Sequence, residues 1–340
     1  MILVIAEKPS VAQSIAKVLG ATSRKDGYME GGNYIVSWCF GHLVELADAS
    51  SYDERYAKWR YDDLPIVPES WMFEVTKDKA QQFKVLSALM KDKRVTELVC
   101  ATDAGREGEL IFRLVYDKAG CTKPFKRLWI SSLEDSAIRE GFNHLRDGKE
   151  YDRLYEAALS RSKADWIVGI NGTRLFTTLY HKKLVVGRVQ TPTLAMLVER
   201  DGKISTFQKE KYFNVHVGKG DLIADLEKVK TEEEAKRIAA ACEKKQAVVS
   251  SLKRETKTVN PPKLYDLTTL QREANRYYGF TAQQTLDLVQ TLYEKKLLTY
   301  PRTDSQFITD DMEDTARQVI SIVCRQLPLF SGVSVTPDIS

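Results

Sequence analysis

Three acids in two short segments are the residues of this 340-residue chain most suited to chemistry. Glu7 closes the apolar run Ile2-Leu3-Val4-Ile5-Ala6. Asp103 follows the run Glu97-Leu98-Val99-Cys100-Ala101-Thr102, and Glu107 comes four residues later. Oxygen donors of this kind suit Mg²⁺, which binds through one or two carboxylates and keeps waters that bridge to phosphates. Lys8 and Arg106 stand beside them as phosphate partners, a phosphoryl-transfer pattern of moderate specificity. Each also has a plainer reading, since acids at helix starts complement the dipole and single basic residues are usually solvated.

Tyr300-Pro301-Arg302-Thr303-Asp304 is the second element. A phenol with a pKa near 10 is a poor nucleophile at neutral pH, and a guanidinium two residues away in an extended segment could stabilise both phenolate and phosphate. A packing tyrosine with a wet hydroxyl is the ordinary alternative. The stretch Val186-Gly187-Arg188-Val189-Gln190-Thr191-Pro192-Thr193 combines a glycine, a cation, an amide, two hydroxyls and a proline that stops regular pairing, and so suits a loop that follows a nucleic-acid backbone. A helix-connecting turn is an equal alternative. Trp59, Trp166 and Arg174 are of the types that stack and pair with single strands, although aromatics at helical spacing are usually core.

The elements needed to hold these groups are legible as strand, acidic loop, helix, occurring twice. After Glu7-Lys8-Pro9, Ser10 to Gln13 reads as a capped helix start running to Leu19 and stopped by Gly20. After Asp103, Glu109 to Ala119 reads as a helix closed by Gly120. Tyr34–Phe40 reads as a strand and Lys79–Lys91 as an amphipathic helix, which makes residues 1–148 an α/β layer whose ligand crevice lies at the carboxyl ends of the strands. Tyr151–Tyr180 is helical in pattern, with Gly169 and Gly172 marking a kink or a close contact. Tyr212–Val217 and Asp221–Leu226 read as a hairpin, and Thr231 opens a helix to about Lys245. Asn260-Pro261-Pro262 is a linker. Thr268–Tyr278, Gly279-Phe280 and Thr281–Lys296 form a helix-turn-helix-like pair.

Composition excludes several classes. At 43% hydrophobic and 29% charged residues, the chain reads as a globular protein of two or three domains. No uncharged apolar stretch is long enough for a membrane span, and Glu7-Lys8 come too early for a signal peptide, so the expected location is cytoplasmic. Five scattered cysteines without a CxxC pair read as buried thiols, and His42, His144, His181 and His216 lack metal-ligand spacing. No GxSxG, Walker A or GxGxxG motif occurs. Residues 304–340 carry six acids against Arg317 and Arg325, so the overall +4 leaves +8 on residues 1–303, a surplus that permits a polyanionic partner.

Taken together and in order, the motifs AEKPS (6–10), ATDAGREGELI (101–111), KRLWISS (126–132), ADWIVGIN (164–171), GRVQTPTLA (187–195), YDLTTLQREAN (265–275) and LTYPRTDS (298–305) resemble the type IA DNA topoisomerases, in their bacterial topoisomerase III branch. The resemblance implies a multi-domain α/β and α+β fold in which an N-terminal Toprim, Rossmann-like domain precedes helical and β-arch segments of a toroid incomplete at the C-terminus. It implies domains at 1–148 (Toprim), 149–210 (helical, DNA-binding), 211–260 (β-rich arch) and 261–340 (helical, carrying the tyrosine). It further implies Mg²⁺-dependent, ATP-independent cleavage and religation of single-stranded DNA through a 5′-phosphotyrosine, acting on negatively supercoiled or catenated DNA. Tyr300 is then the nucleophile, Arg302 its phosphate partner, Glu7 the proton-exchanging acid and Lys8 a stabiliser of phosphate charge. Glu7, Asp103 and Glu107 match metal ligands. Trp59, Trp166, Arg174, Gly187, Arg188, Val189, Gln190, Thr191, Pro192 and Arg302 match DNA contacts. A monomer without nucleotide cofactor or membrane partner is expected.

Two departures qualify the match. Gly105 stands where many members have a second aspartate, which favours one cation held by Glu7 and Asp103 with Glu107 near or just outside it. The chain is also short for the family and lacks a histidine motif after the tyrosine, so a truncated product ending in a weakly patterned 309–340 tail is expected. A silent single-strand-binding remnant and a Toprim nuclease or primase are the competing readings; the latter leaves Tyr300 and Arg302 unexplained.

Overall fold

The computed structural model describes residues 1–246, 248–295, 297–303, 305–308 and 312–330. They divide into two compact units, one of Met1–Gly187 with the chain from Pro262 onward, the other Arg188–Pro261.

The first unit is built on a seven-stranded sheet. Its strands are β1 (Ile2–Ala6), β2 (Ser23–Lys25), β3 (Tyr28–Gly31), β4 (Tyr34–Trp38), β7 (Glu97–Ala101), β8 (Phe125–Arg127) and β9 (Arg146–Asp147), in the order β2-β3-β4-β1-β7-β8-β9. A separate two-stranded sheet pairs β5 (Val44–Leu46) with β6 (Phe73–Val75). The four central strands β4, β1, β7 and β8 are parallel, with Ala6 opposite both Trp38 and Ala101. Because side chains alternate along a strand, β1 sends Leu3 and Ile5 to one core and Val4 and Ala6 to the other. Near-continuous apolar strands of this kind need cover on both faces. α3 (Ala80–Lys91) and α4 (Arg106–Lys118) supply it on one side through Leu86, Met90, Leu110, Phe112 and Val115. α1 (Pro9–Leu19) and α5 (Asp135–Asn143) supply it on the other through Val11, Ile15 and Ile138.

α1 begins at Pro9, with Lys8 in extended conformation before it and Gly20 left-handed behind it. The expected Ser10 cap is therefore inside the helix: proline is favoured at the first helical position, where it lacks only an N–H that has no partner anyway. α4 likewise starts three residues earlier than the apolar pattern suggests, which puts Arg106 and Glu107 in its first turn. A short helix, α2 (Ala49–Tyr52), precedes the irregular stretch to Trp71. α6 (Asp152–Tyr180) runs unbroken for 29 residues. At Gly172 a Cβ would meet Val186 at 2.9 Å, so the glycine serves a close approach and not a kink.

α9 (Leu267–Tyr278) and α10 (Ala282–Glu294) form the helical pair, joined through left-handed Gly279 and a capping box of Thr281 and Gln284. Tyr293 of α10 is buried in the same core as Val4 and Ile15. In the tail, Glu313–Gln326 is a helix, α11, where weak patterning was expected; Glu313 and Asp314 favour its N-terminus and Val319 and Val323 share a face. Positions 309–311 and 331–340 of that expectation lie outside the described residues.

In the second unit α7 (Gln190–Ser205) has no buried residue. β10 (Phe213–Lys219) and β11 (Leu222–Val229) make a hairpin, against which α8 (Glu232–Cys242) packs Ala235 on Val215 and Val229. Of the cysteines only Cys39 and Cys100 are buried, so the general expectation of buried thiols fails for the other three. Among the described residues no helix is long and apolar enough to cross a membrane.

Candidate active site

The carboxyl ends of β1 and β7 bring Glu7 and Asp103 together, the Asp103 N–H donating to Glu7 Oε2 at 3.4 Å. The close seat of α4 fixes that geometry. A Cβ at Gly108 would lie 2.1 Å from the Asp103 carbonyl oxygen, so only glycine lets the first turn of the helix rest on the Asp103 backbone. Thr102 locks the same contact, its hydroxyl donating to Gly108 O at 2.7 Å.

Beneath the strand ends lies Arg127, fully buried. Its Nη1 donates to the carbonyls of Cys100 (3.0 Å), Thr102 (2.7 Å) and Leu128 (3.0 Å), and Nη2 donates to Asp103 O at 2.6 Å. Glu109, also fully buried, sits 3.1 Å from Arg127 Nε, an ion pair not aligned for a hydrogen bond. It accepts from Arg113 Nε at 2.9 Å, and Arg113 reaches on to Gly148 O and Asp152. Glu109, Arg127, Gly108 and Tyr293 are the residues the sequence reading missed. The Glu109–Arg113 spacing of four was the one local signal for the network.

The nucleophile candidate comes from 197 residues away. Tyr300 donates from its hydroxyl to Asp103 Oδ2 at 2.7 Å, and its ring meets Tyr293 edge-on with centroids 5.7 Å apart. Burial, the Asp103 charge and this bond push its phenol well above the ordinary tyrosine range. Burial, then the Asp103 charge, raises the Glu7 carboxyl to about 7, while Lys8 and Arg302 pull it partly back. Tyr300, Glu7, Asp103, Lys8 and Arg302 thus share one electrostatic neighbourhood.

Glu107 does not join the pair. It is largely exposed and contacts His42, with Nε2 and Oε2 3.4 Å apart. At the first turn of α4 the Glu107 side chain projects outward while Gly108 and Glu109 face the sheet. Among the described residues no three of His, Cys, Asp and Glu gather as a metal-binding group. Two carboxylates still fit a divalent cation completed by water and phosphate oxygens. A buried carboxyl raised by a neighbouring carboxylate is a place where added positive charge is favourable. Gly105, at the N-cap of α4, is extended, and a Cβ there would meet nothing within 4 Å.

The expected nucleic-acid residues separate. Trp59 is 41% exposed, and the Arg174 guanidinium lies 5.3 Å from its ring centroid. Arg174, expected among the DNA contacts, is only 3% exposed, donates to Tyr56 O at 2.8 Å and lies against Trp59. Trp166 is half-buried, donating to Ala47 O at 3.0 Å and meeting Tyr52 and Trp71 edge-on. Packing is its visible role. Gly187 is the last residue of the first unit's N-terminal segment. Arg188 and Val189 precede α7, whose first turn already holds Gln190, Thr191 and Pro192 where a loop was expected. Proline costs little in a first turn, and Val189 O accepts from the Thr193 N–H and hydroxyl.

The family model for the Toprim domain, a metal-binding domain, matches residues 2–133, and that for DNA topoisomerase matches residues 149–333. The DNA topoisomerase 3 of Staphylococcus haemolyticus is 46% identical over 320 residues, covering 93% of this chain and 45% of that protein. The corresponding enzyme of Bacillus subtilis is 46% identical over 323 residues, covering 93% and 44%. Full-length topoisomerase I of Thermotoga maritima superposes with a TM-score of 0.65 at 25% identity, covering 94% of this chain and 52% of that one. The chain therefore spans about half the length of these relatives. With a Toprim sheet carrying Glu7 and Asp103 and a second matched segment carrying Tyr300, the chain belongs to the type IA DNA topoisomerase family.

Proposed function

We propose that this chain carries the DNA-cleaving transesterification of a type IA topoisomerase, with the Tyr300 hydroxyl as nucleophile on a phosphodiester of single-stranded DNA. The Tyr300 oxygen bonds to phosphorus, the bond from phosphorus to the 3′-oxygen breaks, and the 3′-oxygen leaves as a hydroxyl. One ester replaces another of similar energy, so the step reverses without nucleotide fuel. The observation that carries the reading is the 2.7 Å hydrogen bond from Tyr300 to Asp103 beside a Glu7 carboxyl that holds its proton to about pH 7.

Asp103 is the first acceptor available to the phenol proton, and neutral Glu7 is a proton donor suited to the departing 3′-oxygen. Lys8 and Arg302 place positive charge beside both and would hold the phosphate. Glu7 and Asp103 are the residues that would hold Mg²⁺, which when bound neutralises phosphate charge; Glu107 lies outside that pair. Trp59 offers a stacking face, and Arg188, Val189, Gln190, Thr191 and Pro192 with Gly187 form the segment proposed to follow the strand. Negatively supercoiled or catenated DNA, which offers unpaired strands, is the proposed substrate, and a cytoplasmic monomer the proposed form.

The test is incubation of the chain with 3′-labelled single-stranded oligonucleotide and Mg²⁺, a denaturing quench and a gel. Label should travel with the wild-type protein and not with Tyr300→Phe. Salt-sensitive DNA binding without any adduct would replace the reading with that of a binding module, and nicking without an adduct with that of a nuclease.

A further inference from the structure

Two tryptophans, Trp59 and Trp129, expose a large part of their surface, 41% and 44%. They are built alike. Under each lies an almost completely buried arginine, Arg174 beneath Trp59 and Arg127 beneath Trp129, with guanidinium carbons 5.3 and 5.2 Å from the ring centroids. A buried cation against an indole fixes the ring and is favourable in its own right. Trp129 is held further by Tyr151, stacked at 5.1 Å and 20°, and Tyr151 is only 9% exposed. Tyr151 and Arg127 thus hold the indole while 44% of the residue's surface stays exposed.

The position of Trp129 gives this flat apolar surface a meaning. It follows β8 at the carboxyl end of the sheet, two residues beyond Arg127, which is paired in register with Cys100. The same guanidinium that lies against the Trp129 ring donates to Asp103 O at 2.6 Å. Arg127 thus joins the ring to the backbone of the residue that meets Tyr300. Tyr300 and the indole are thus linked through Asp103 and Arg127, so a single strand with its phosphate at Tyr300 has the indole among the groups nearest its path.

We propose that Trp129 is a base-stacking platform that receives a nucleobase of the single strand next to the one being cleaved. The inference rests on the reading of this chain as a single-strand-cleaving topoisomerase and adds a base contact at the sheet end that the motif reading did not include. Stacking needs no particular base, so the platform holds the strand in place without selecting sequence.

The experiment measures equilibrium binding of the 340-residue chain to a twelve-nucleotide oligothymidylate and to an abasic backbone of equal length at fixed salt. Trp129→Ala should weaken oligothymidylate binding about 5- to 100-fold, the scale of one stacked base. It should leave abasic-backbone binding unchanged, and Trp129→Phe should recover most of the loss. An equal loss on both ligands would show that Trp129 only supports the fold and overturn the proposal. Unchanged oligothymidylate binding by Trp129→Ala, with wild type binding well, would overturn it alone. Wild-type failure to bind oligothymidylate would overturn it together with the topoisomerase reading.

Discussion

Glu109, on α4, and Glu7, just past β1, are both withdrawn from water around one sheet, and they are handled in opposite ways. Beneath the strand ends Glu109 is flanked by two guanidinium groups, and Arg127 spends its remaining donors on four carbonyls. At the strand ends Glu7 faces a second carboxylate, Asp103, and its carboxyl rises to about 7. A fold that answers one buried acid so fully and leaves the other in deficit has concentrated its unmet electrostatic demand at one place. That place is where Tyr300 arrives, and perturbed carboxyls of this kind mark working sites.

The contrast breaks most visibly at Glu109. Glu109→Ala strands the buried Arg127 charge and should cost about 3–5 kcal/mol in urea unfolding. A cost under about 1 kcal/mol would show that the pair is dispensable. Next is Glu7→Gln, which should stabilise the protein. The folded Glu7 carboxyl titrates near 7 against an ordinary 4.5, so the native state holds a proton that the unfolded chain releases between those values. Wild-type stability should therefore fall as pH rises from 4.5 to 7, by about 2–3 kcal/mol, and the slope should flatten in Glu7→Gln. A parallel pH dependence in the two proteins would remove the deficit. Millimolar Mg²⁺ at pH 8 should raise the wild-type melting temperature more than that of Glu7→Gln. The smallest effect belongs to Glu107→Ala, exposed and paired with His42, at about 0.5 kcal/mol or less. A larger loss would place Glu107 among the structural acids.

The same three acids show what local sequence can carry. Glu7 and Asp103 end apolar runs, and the rule that crevices open at carboxyl ends of parallel strands put them together correctly. Glu107 and Glu109 differ only in which way the first turns of α4 face, and that is set by Gly108 resting on Asp103, a tertiary contact. The Tyr300–Asp103 bond spans 197 residues and was reachable only through the joint resemblance of the motifs. Arg174 was legible as a residue but its burial was not: it lies eight residues after Trp166 on one stripe of α6, the packed side. Trp129 carries no local mark because its platform depends on Arg127 being buried, which strand periodicity alone does not reveal.

Gly105 has one more implication. Its backbone is extended and a Cβ there would meet nothing within 4 Å, so a side chain could start there without strain at its first atom. Position 105 is a dial for the charge density of the site that turns independently of the architecture, and Gly105→Asp would shift the balance between cation and proton at Glu7 while the sheet, α4 and the Arg127 mount stay as they are.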